Sequence, residues 1–258
     1  MTAPTRWLDL RRFTPARVAL GRVGHALPTA AHLAFQADHA AARDAVQAAL
    51  DVQHLLAALG RPATVLRSAA PDRRSYLMRP DLGRALDPAC VVPPNPGCLA
   101  VVLADGLSAT AIQRHGAALV AALGTIGPLF VALQARVALG DAIGEALQAE
   151  AVLMLIGERP GLSSPDGIGA YLTWQPRIGH TDAARNCVAN IRPDGLAIDE
   201  AAARILWLIG RMRVLRLTGV ALKDEQPRLQ QVQSGQVQSG PRAVDGSGYD
   251  RSISVDST

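Results

Sequence analysis

The sequence predicts an α/β protein, on the basis of three shifts in its pattern. Residues 28–60 are rich in alanine and place apolar side chains at three- and four-residue steps, which is typical of helices. From Leu99 onward, short continuous apolar runs alternate with single helical segments, and such runs indicate strands that are buried on both faces. Past Asp224 the chain consists mainly of polar residues and glycine. We therefore expect a helical start, a parallel sheet and a disordered tail.

The first 98 residues divide into a helical domain and a connector. Pro28 with Thr29 forms a helix entry, because proline is favoured at the start of a helix, and Gly60 ends the helical pattern. We assign residues 1–60 to a helical amino-terminal domain. Residues 61–98 contain seven prolines, too many for long regular elements. The sequence predicts a proline-rich connector with local turns there.

Residues 99–227 are expected to form a Rossmann-like, doubly wound parallel sheet with right-handed crossovers. Ser108 and Asp141 can each cap the helix after a strand, by accepting hydrogen bonds from unpaired N–H groups. The main strands are predicted at residues 99–104, 129–133 and 151–156, with weaker candidates at 171–174 and 188–191 and a last helix from 199 to about 217. Residues 228–258 form the predicted disordered tail, because they cannot bury enough apolar surface to offset the entropy of ordering.

The composition argues against a membrane protein and against a nucleic-acid-binding one. The longest apolar runs, such as Leu99–Ala104, are far shorter than the roughly 18 residues of a membrane span. The net charge is +4, but the arginines are scattered among acids, and aromatic residues make up only 3% of the chain, so stacking platforms for bases are missing. The first residues lack the apolar core of a signal peptide, and the three cysteines form no CxxC pair. We expect a cytoplasmic protein with reduced thiols.

Standard catalytic and metal-binding motifs are absent from the sequence. No Gly-x-Gly-x-x-Gly follows the first predicted strand of the sheet, and no phosphate-binding Gly-x-x-x-x-Gly-Lys-Ser/Thr exists. The six histidines show neither HExxH nor any paired metal spacing. Ser108 follows a glycine as in a nucleophile elbow, yet the second glycine of that motif is missing. We assign no catalytic residue and no metal ligand in this chain.

Polar and apolar groups nevertheless follow successive predicted strands at their carboxyl ends. Asp105, Val137 and Glu158 lie at or just past these ends, and the loop around Cys187 can converge with them. Ligands of α/β sheets bind outside the carboxyl ends of the strands, so this edge is the expected binding site. The site suits a large ligand with amide or phosphate groups, but it lacks the paired acid and base of a self-contained active site.

Several longer motifs surround these residues and suggest a specific family. They are Tyr76-Leu-Met-Arg-Pro-Asp-Leu-Gly-Arg84, Asp105-Gly-Leu-Ser108, Ala135-Arg-Val-Ala-Leu-Gly-Asp141, Gly157-Glu-Arg-Pro-Gly161, Thr181-Asp-Ala-Ala-Arg-Asn-Cys-Val-Ala-Asn-Ile-Arg-Pro193 and Leu217-Thr-Gly-Val-Ala-Leu-Lys-Asp224. Together they resemble the small subunit of adenosylcobalamin-dependent ethanolamine ammonia-lyase, in the order in which the family has them. The resemblance covers roughly residues 6–224 and stops before the predicted tail.

The resemblance implies a cofactor, a partner and three site residues. In this family the small subunit helps to hold adenosylcobalamin against a large subunit, which binds ethanolamine, and the radical reaction yields acetaldehyde and ammonia. The cofactor contacts correspond to Val137, Glu158 and Cys187 of this chain. Each has a simpler alternative role: core packing for Val137, an ion pair with an arginine for Glu158, and plain burial for Cys187. Glu158 fits best, because a carboxylate suits the amide donors around a corrin ring.

Two departures from the family pattern and two other functions stay open. Gln47 stands where many members have histidine, and an amino-terminal extension of some members is missing. The resemblance therefore leaves open whether the protein lies free in the cytoplasm or within a bacterial microcompartment. Residues 99–227 would be the cobalamin-binding domain. The alternatives are a stand-alone α/β enzyme that binds a nucleotide and a non-catalytic subunit that only braces its partner.

Overall fold

The computed structural model describes residues 5–14 and 16–225, which form a mixed α/β structure around a six-stranded sheet. The strand order across the sheet is β1-β3-β2-β4-β5-β6. The strands are β1 Ala63–Arg67, β2 Leu99–Ala104, β3 Leu129–Leu133, β4 Ala151–Gly157, β5 Ile168–Trp174 and β6 Arg185–Ile191. The helices are α1 Thr5–Leu8, α2 Thr29–Gln47, α3 Val52–Leu59, α4 Arg73–Met78, α5 Ala109–Ala111, α6 Ala117–Leu123, α7 Leu139–Leu147 and α8 Ile198–Leu215. A π-helical turn, Ile112–Gly116, joins α5 to α6.

The parallel part of the prediction is confirmed for β2, β3 and β4, and its extension to β5 and β6 is wrong. β2 lies between β3 and β4, and both pair with it in parallel. β5 and β6 form strands, as their weaker patterns predicted, but they pair antiparallel to their neighbours. The physical reason is the length of the connections. Residues 158–167 and 175–184 are shorter than the dozen or so residues that a parallel crossover needs, so the chain reverses direction at each.

One strand lies where the sequence predicted only turns. β1 belongs to the proline-rich segment and pairs in parallel with β3 at the edge of the sheet. The prolines flank this strand instead of interrupting it, since Pro62 precedes it and Pro71 follows. Leu66 is the one buried residue of this strand, and the other four are at least partly accessible to solvent. The strand therefore lacks the continuous apolar run that predicted β2 and β4 from the sequence.

The amino-terminal helical pattern corresponds to two helices instead of one. α2 begins at Thr29 after Pro28, as expected, but residues 48–51 interrupt the helix before α3. Asp51 caps α3 by accepting a hydrogen bond from the N–H of His54 at 3.0 Å. Gly60 ends α3 in the left-handed conformation with φ +61°, as predicted from its type.

The sheet is covered on both faces, because successive residues of its central strand point in opposite directions. Leu99, Val101 and Leu103 pack against α6 and α8 on one face. Ala100, Val102 and Ala104 pack against α7 on the other. All six residues of β2 are buried, which explains why its sequence is an unbroken apolar run.

The predicted tail, residues 228–258, lies outside the described residues. Within residues 5–14 and 16–225, no helix is both long and apolar enough to span a membrane.

Candidate functional site

The loops after β2 and β4 meet at the point where the chain changes direction across the sheet. After β2 the chain crosses to β3 on one side, and after β3 it returns past β2 to β4 on the other. At this contact the N–H of Leu107 donates to the carbonyl oxygen of Gly157 at 3.0 Å. Gly106 has a φ of +55°, a conformation that glycine adopts without steric cost. A crevice at such a reversal is the usual ligand site of an open α/β sheet.

Asp105 faces the interior of the protein and not the expected binding edge. Its carboxylate accepts hydrogen bonds from the N–H groups of Gln134 at 2.8 Å and of Ala135 at 3.1 Å. Burial raises the pKa of Asp105, although these N–H groups and Arg73, 3.9 Å away, act in the opposite direction. Asp105 therefore anchors the loop after β3 and leaves the edge to other groups.

Glu158 continues the line of β4 and stays partly accessible to solvent. Its N–H donates to the carbonyl oxygen of Gly167 at 3.0 Å, and both of its carboxylate oxygens lie 3.2 Å from the N–H of Asn190. Gly167 and Gly169 leave room for this carboxylate, since a Cβ atom at either position would lie 3.0 Å from one of its oxygens. Among the described residues Glu158 forms no ion pair, so the arginine partner that was its alternative role is not found.

Cys187 is exposed on β6, and its side chain interacts with Tyr171 on the neighbouring strand. The two residues are direct partners in the β5–β6 register. The residue is exposed as a whole, but neighbouring atoms partly desolvate its sulfur and so raise the pKa of Cys187. A hydrogen bond from Tyr171 lowers this pKa, and the charge of Glu158 raises it. Burial and the same neighbours raise the pKa of Tyr171, so its hydroxyl stays protonated and remains a donor. Cys187 is thus accessible, in contrast to the plain burial that was its alternative role.

Val137 lies in the loop between β3 and α7 and lines a cavity of about 620 Å³. Its side chain is half-buried and packs against the apolar cluster beneath α7, so it contributes to the core and to the cavity wall at once. The other lining residues are Pro80, Arg84, Arg136, Ala138, Asp141, Ile178, Gly179, His180, Thr181 and Asp182. Tyr171 packs against the same apolar cluster as Val137, so the two residues lie on the same face of the sheet.

The structure thus brings two of the three predicted residues together around Tyr171 and places the third on the same face of the sheet. Glu158 and Tyr171 both lie close to Gly169, and Cys187 is the partner of Tyr171 in the β5–β6 register. Val137 packs against the same apolar cluster as Tyr171. We call the surface of Glu158, Tyr171 and Cys187 the glutamate–tyrosine–cysteine face. Tyr171 was missed as a site residue, because its neighbours become visible only once the β4–β5–β6 register is known. The weak strand pattern of residues 171–174 was its only signal.

Asp141 has a different role from the one predicted. α7 begins at Leu139 after Ala138, so Asp141 lies within the first turn and caps nothing. Its carboxylate instead forms a buried ion pair with the guanidinium of Arg185 on β6. Burial raises the pKa of Asp141 to about 6, against the opposing effects of Arg185 and His180. Ser108, by contrast, caps α5 as predicted, by accepting from the N–H of Ala111 at 3.3 Å.

The loop after Glu158 is fixed at its far end. Ser108 donates from its hydroxyl to the carbonyl oxygen of Pro165 at 2.7 Å. The Asp166 carboxylate lies 3.0 Å from Arg114 and 3.3 Å from His115. Burial would raise the pKa of Asp166, but the hydrogen bonds from Arg114 and His115 bring it below its usual value. The loop is therefore anchored to the helices that follow β2.

Metal-ligand geometry is not found in the part of the chain that the structure describes. No group of three or more His, Cys, Asp or Glu side chains converges there in a way that could hold a metal ion.

Comparison with known proteins identifies the family. Residues 4–223 match the family model described as "Ethanolamine ammonia-lyase light chain (EutC)", which covers nearly the whole chain. The chain belongs to the ethanolamine ammonia-lyase light chain family.

Similar curated proteins agree with this assignment to the light chains. A protein of Bradyrhizobium diazoefficiens is 54% identical over 235 residues, covering 84% of this chain and 90% of its own length. A protein of Xanthomonas campestris pv. campestris (strain B100) is 50% identical over 248 residues, covering 88% of this chain and 91% of its own. A protein of Azotobacter vinelandii is 50% identical over 238 residues, covering 85% of this chain and 88% of its own length. Each is named "Ethanolamine ammonia-lyase small subunit", and the name implies a large subunit as partner.

Proposed function

We propose that this light chain forms one wall of an adenosylcobalamin site in an ethanolamine ammonia-lyase, and that a large subunit completes the site. In this proposal the parallel half of the sheet is a Rossmann-like fold, and Val137, Glu158 and Cys187 contact the cofactor. The observation that supports it most is the glutamate–tyrosine–cysteine face, which presents a carboxylate, a hydroxyl and a thiol on the side of the sheet where Val137 lines a cavity of about 620 Å³.

The chemistry of these groups fits a corrin. The ring is rimmed by acetamide and propionamide groups, whose N–H donors require acceptors. The Glu158 carboxylate is partly exposed and without an ion-pair partner among the described residues, so it has capacity for further donors. The side chain of Cys187 is small and weakly polar, and that of Val137 is apolar. A ligand can therefore approach both closely at little cost in desolvation. These three side chains fit binding and not acid–base catalysis.

The division of labour between the subunits follows from what this chain lacks. Adenosylcobalamin, when bound, supplies the radical chemistry by which ethanolamine becomes acetaldehyde and ammonia. The residues of this chain would bind the cofactor, orient it and exclude water on one side. Cys187 is the thiol of the face, and its raised pKa keeps it protonated near neutral pH, so it is not suited to nucleophilic catalysis. The groups that contact ethanolamine are therefore expected on the large subunit.

A second surface of the chain suits a protein partner. Large apolar side chains are exposed in the amino-terminal part, where Trp7 is 57%, Phe13 75% and Leu33 57% accessible. Large apolar and aromatic side chains are enriched at protein–protein contacts. We expect this amino-terminal surface to contribute to the contact with the large subunit.

Titration of adenosylcobalamin against the purified chain, with and without the large subunit, tests the proposal. We expect spectroscopic evidence of tight binding and ammonia release only when both subunits are present. Ammonia release by the isolated chain would contradict the proposal. Full cofactor binding and turnover by the large subunit alone would favour a role in assembly only. Binding of a nicotinamide or adenine nucleotide by the isolated chain would favour the stand-alone nucleotide-binding enzyme.

A further inference from the structure

The buried ion pair of Asp141 and Arg185 connects two segments that are far apart in the sequence. Arg185 begins β6 and lies two residues before Cys187, and Asp141 lies in the first turn of α7, four residues after Val137. The side chain of Asp141 is 3% exposed and that of Arg185 is 2% exposed. The pair therefore joins the loop of one proposed cofactor contact to the strand of another.

The same guanidinium also holds a third part of the cavity wall. Arg185 donates to the carbonyl oxygen of Thr181, and its Nη2 lies 3.4 Å from the carbonyl oxygen of His180. Both of these residues line the cavity together with Val137. One buried side chain thus fixes the start of α7, the segment before β6 and β6 itself. A bidentate, planar guanidinium is well suited to such a junction.

We infer that the Asp141–Arg185 pair is a positioning device that holds Val137 and Cys187 at a fixed separation and so sets the affinity for adenosylcobalamin. Neither residue is expected to contact the cofactor. The inference rests on the proposed function, because it assumes that Val137 and Cys187 line the cofactor site.

Stability alone does not account for this pair. Burying two charges costs desolvation energy. A protein in which apolar residues of similar volume replace a buried ion pair is often as stable as the original or more stable. The direction of the pKa shift of Asp141 also indicates that the pair does not stabilise the fold at neutral pH. Because burial raises the pKa of folded Asp141 from 3.8 to about 6, the free energy of unfolding falls as the pH rises through this interval. The shift thus gives the ionised pair no stabilising role at neutral pH, which agrees with a role in fixing geometry.

The inference predicts a dependence of cofactor affinity on pH. Protonation of Asp141 near pH 6 neutralises the carboxylate and weakens its hold on Arg185. The other charged and titratable groups close to the carboxylate are His180 and Asp182, with Arg136 on the same cavity wall. We expect affinity for adenosylcobalamin to fall on acidification through about pH 6, while the contribution of Asp141 to stability changes in the opposite direction.

The test uses the complete two-subunit enzyme and measures the Kd of adenosylcobalamin by spectroscopic titration between about pH 5 and pH 8. Asp141→Asn should bind the cofactor about tenfold more weakly at neutral pH, the equivalent of one charge-assisted hydrogen bond, and its Kd should no longer change with pH. His180→Asn should keep the dependence on pH but shift it to higher pH, because the charge of His180 lowers the pKa of Asp141. The matched control is the exposed pair of Glu150 and Arg213, and Glu150→Gln should leave the Kd unchanged.

A double variant separates positioning from folding. Asp141→Leu combined with Arg185→Met removes both charges and keeps the volume apolar, so the fold should survive without the ion pair. We expect its cofactor affinity to remain low even where its thermal stability equals that of the wild type. Wild-type affinity in this double variant, or an unchanged pH profile in Asp141→Asn, would overturn the inference. Absence of cofactor binding by the wild-type enzyme would instead overturn the proposed function.

Discussion

The carbonyl oxygen of Gly157 lies 2.2 Å from the position that a Cβ atom on Gly106 would occupy. Gly157 is equally close to the loop after β2, since a Cβ atom on Gly157 would lie 2.0 Å from the carbonyl oxygen of Ser108. The loops after β2 and β4 are therefore in backbone contact, with no side chain between them. This contact fixes the position at which the chain leaves β4, and Glu158 is the next residue.

Substitution of Gly106 should be far more costly than substitution of another glycine with the same backbone angle. Gly60 has φ +61°, but a Cβ atom there would meet nothing within 4 Å, so Gly60→Ala should cost only the strain of the left-handed conformation, roughly 1–2 kcal/mol. Gly106→Ala adds overpacking against backbone and should cost about 3 kcal/mol or more in total. Urea unfolding of both variants measures the difference, and equal losses would show that the loops can separate freely.

Replacing Glu158 should weaken cofactor binding more than it weakens folding. Glu158→Gln keeps one acceptor for the N–H of Asn190 but removes the charge, so we expect a loss of about 1–2 kcal/mol in adenosylcobalamin affinity of the complete enzyme. Glu158→Ala should cost more, because the amide donors of the corrin then lack a partner. Affinity by titration and thermal stability by circular dichroism should be measured on each variant.

Asp72 provides the control for Glu158. Its carboxylate accepts the N–H of Ser75 at 2.7 Å at the start of α4, so Asp72→Asn removes a charge from a similar hydrogen bond outside the glutamate–tyrosine–cysteine face. Its cofactor affinity should equal that of the wild type. A cofactor affinity of Glu158→Ala equal to that of the wild type would exclude Glu158 from the cofactor site.

Removing the Tyr171 hydroxyl and removing the Glu158 charge should change the rate of Cys187 alkylation in opposite directions. Tyr171→Phe removes the hydrogen bond that lowers the pKa of Cys187, so the thiolate fraction at a pH of about 8 should fall and alkylation should slow. Glu158→Gln removes the charge that raises this pKa, so alkylation should become faster. Mass spectrometry of the alkylated peptides follows each site separately, and Cys90 and Cys98 serve as internal controls. Equal rates in both variants would contradict the arrangement of the face.

Truncation should be tolerated up to a sharply defined point. We expect deletion of residues 228–258 to leave folding and cofactor affinity nearly unchanged, because their composition cannot support a core. Deletion from residue 218 should unfold the edge of the sheet, since Thr218 bonds to Trp174 and Ala184, and the side chain of Asn186 donates to the carbonyl oxygen of Leu222 at 2.8 Å. Thermal melts and cofactor titrations of the two truncated forms compare these outcomes directly. A loss of affinity in the shorter deletion would assign a binding role to the tail.

The central strands were fully predictable from the sequence, whereas the edge strand β1 was missed and the edge strand β6 was predicted only over residues 188–191. β2 and β4 are buried on both faces, so their residues are apolar without interruption. β6 begins with Arg185 and Asn186, whose polar side chains bond to Asp141 and to the carbonyl oxygens of residues 219 and 222. Those partners are 33 to 44 residues away in the sequence, and no local pattern reveals them.

The candidate site shows the same limit. Val137, Glu158 and Cys187 were named from the resemblance to a family, and their proximity depends on facts that the sequence does not show. Cys187 meets Tyr171 only because β5 and β6 pair antiparallel in one particular register. The predicted cap Asp141 was wrong for a related reason. A helix start seen in isolation favours a capping carboxylate, whereas the buried Arg185 from another strand provides a stronger partner.

The position of β1 has a consequence for the order in which the chain can fold. β1 has one neighbour in the sheet, β3, whose last residue, Leu133, follows the end of β1 by 66 residues. During synthesis, β1 must therefore wait until β2, its helices and β3 have left the ribosome before it can form any strand pairing. The helices α2 and α3 precede it and are made even earlier. The amino-terminal third of this chain is thus the first part to be synthesised, yet its strand cannot join the sheet until β3 has emerged.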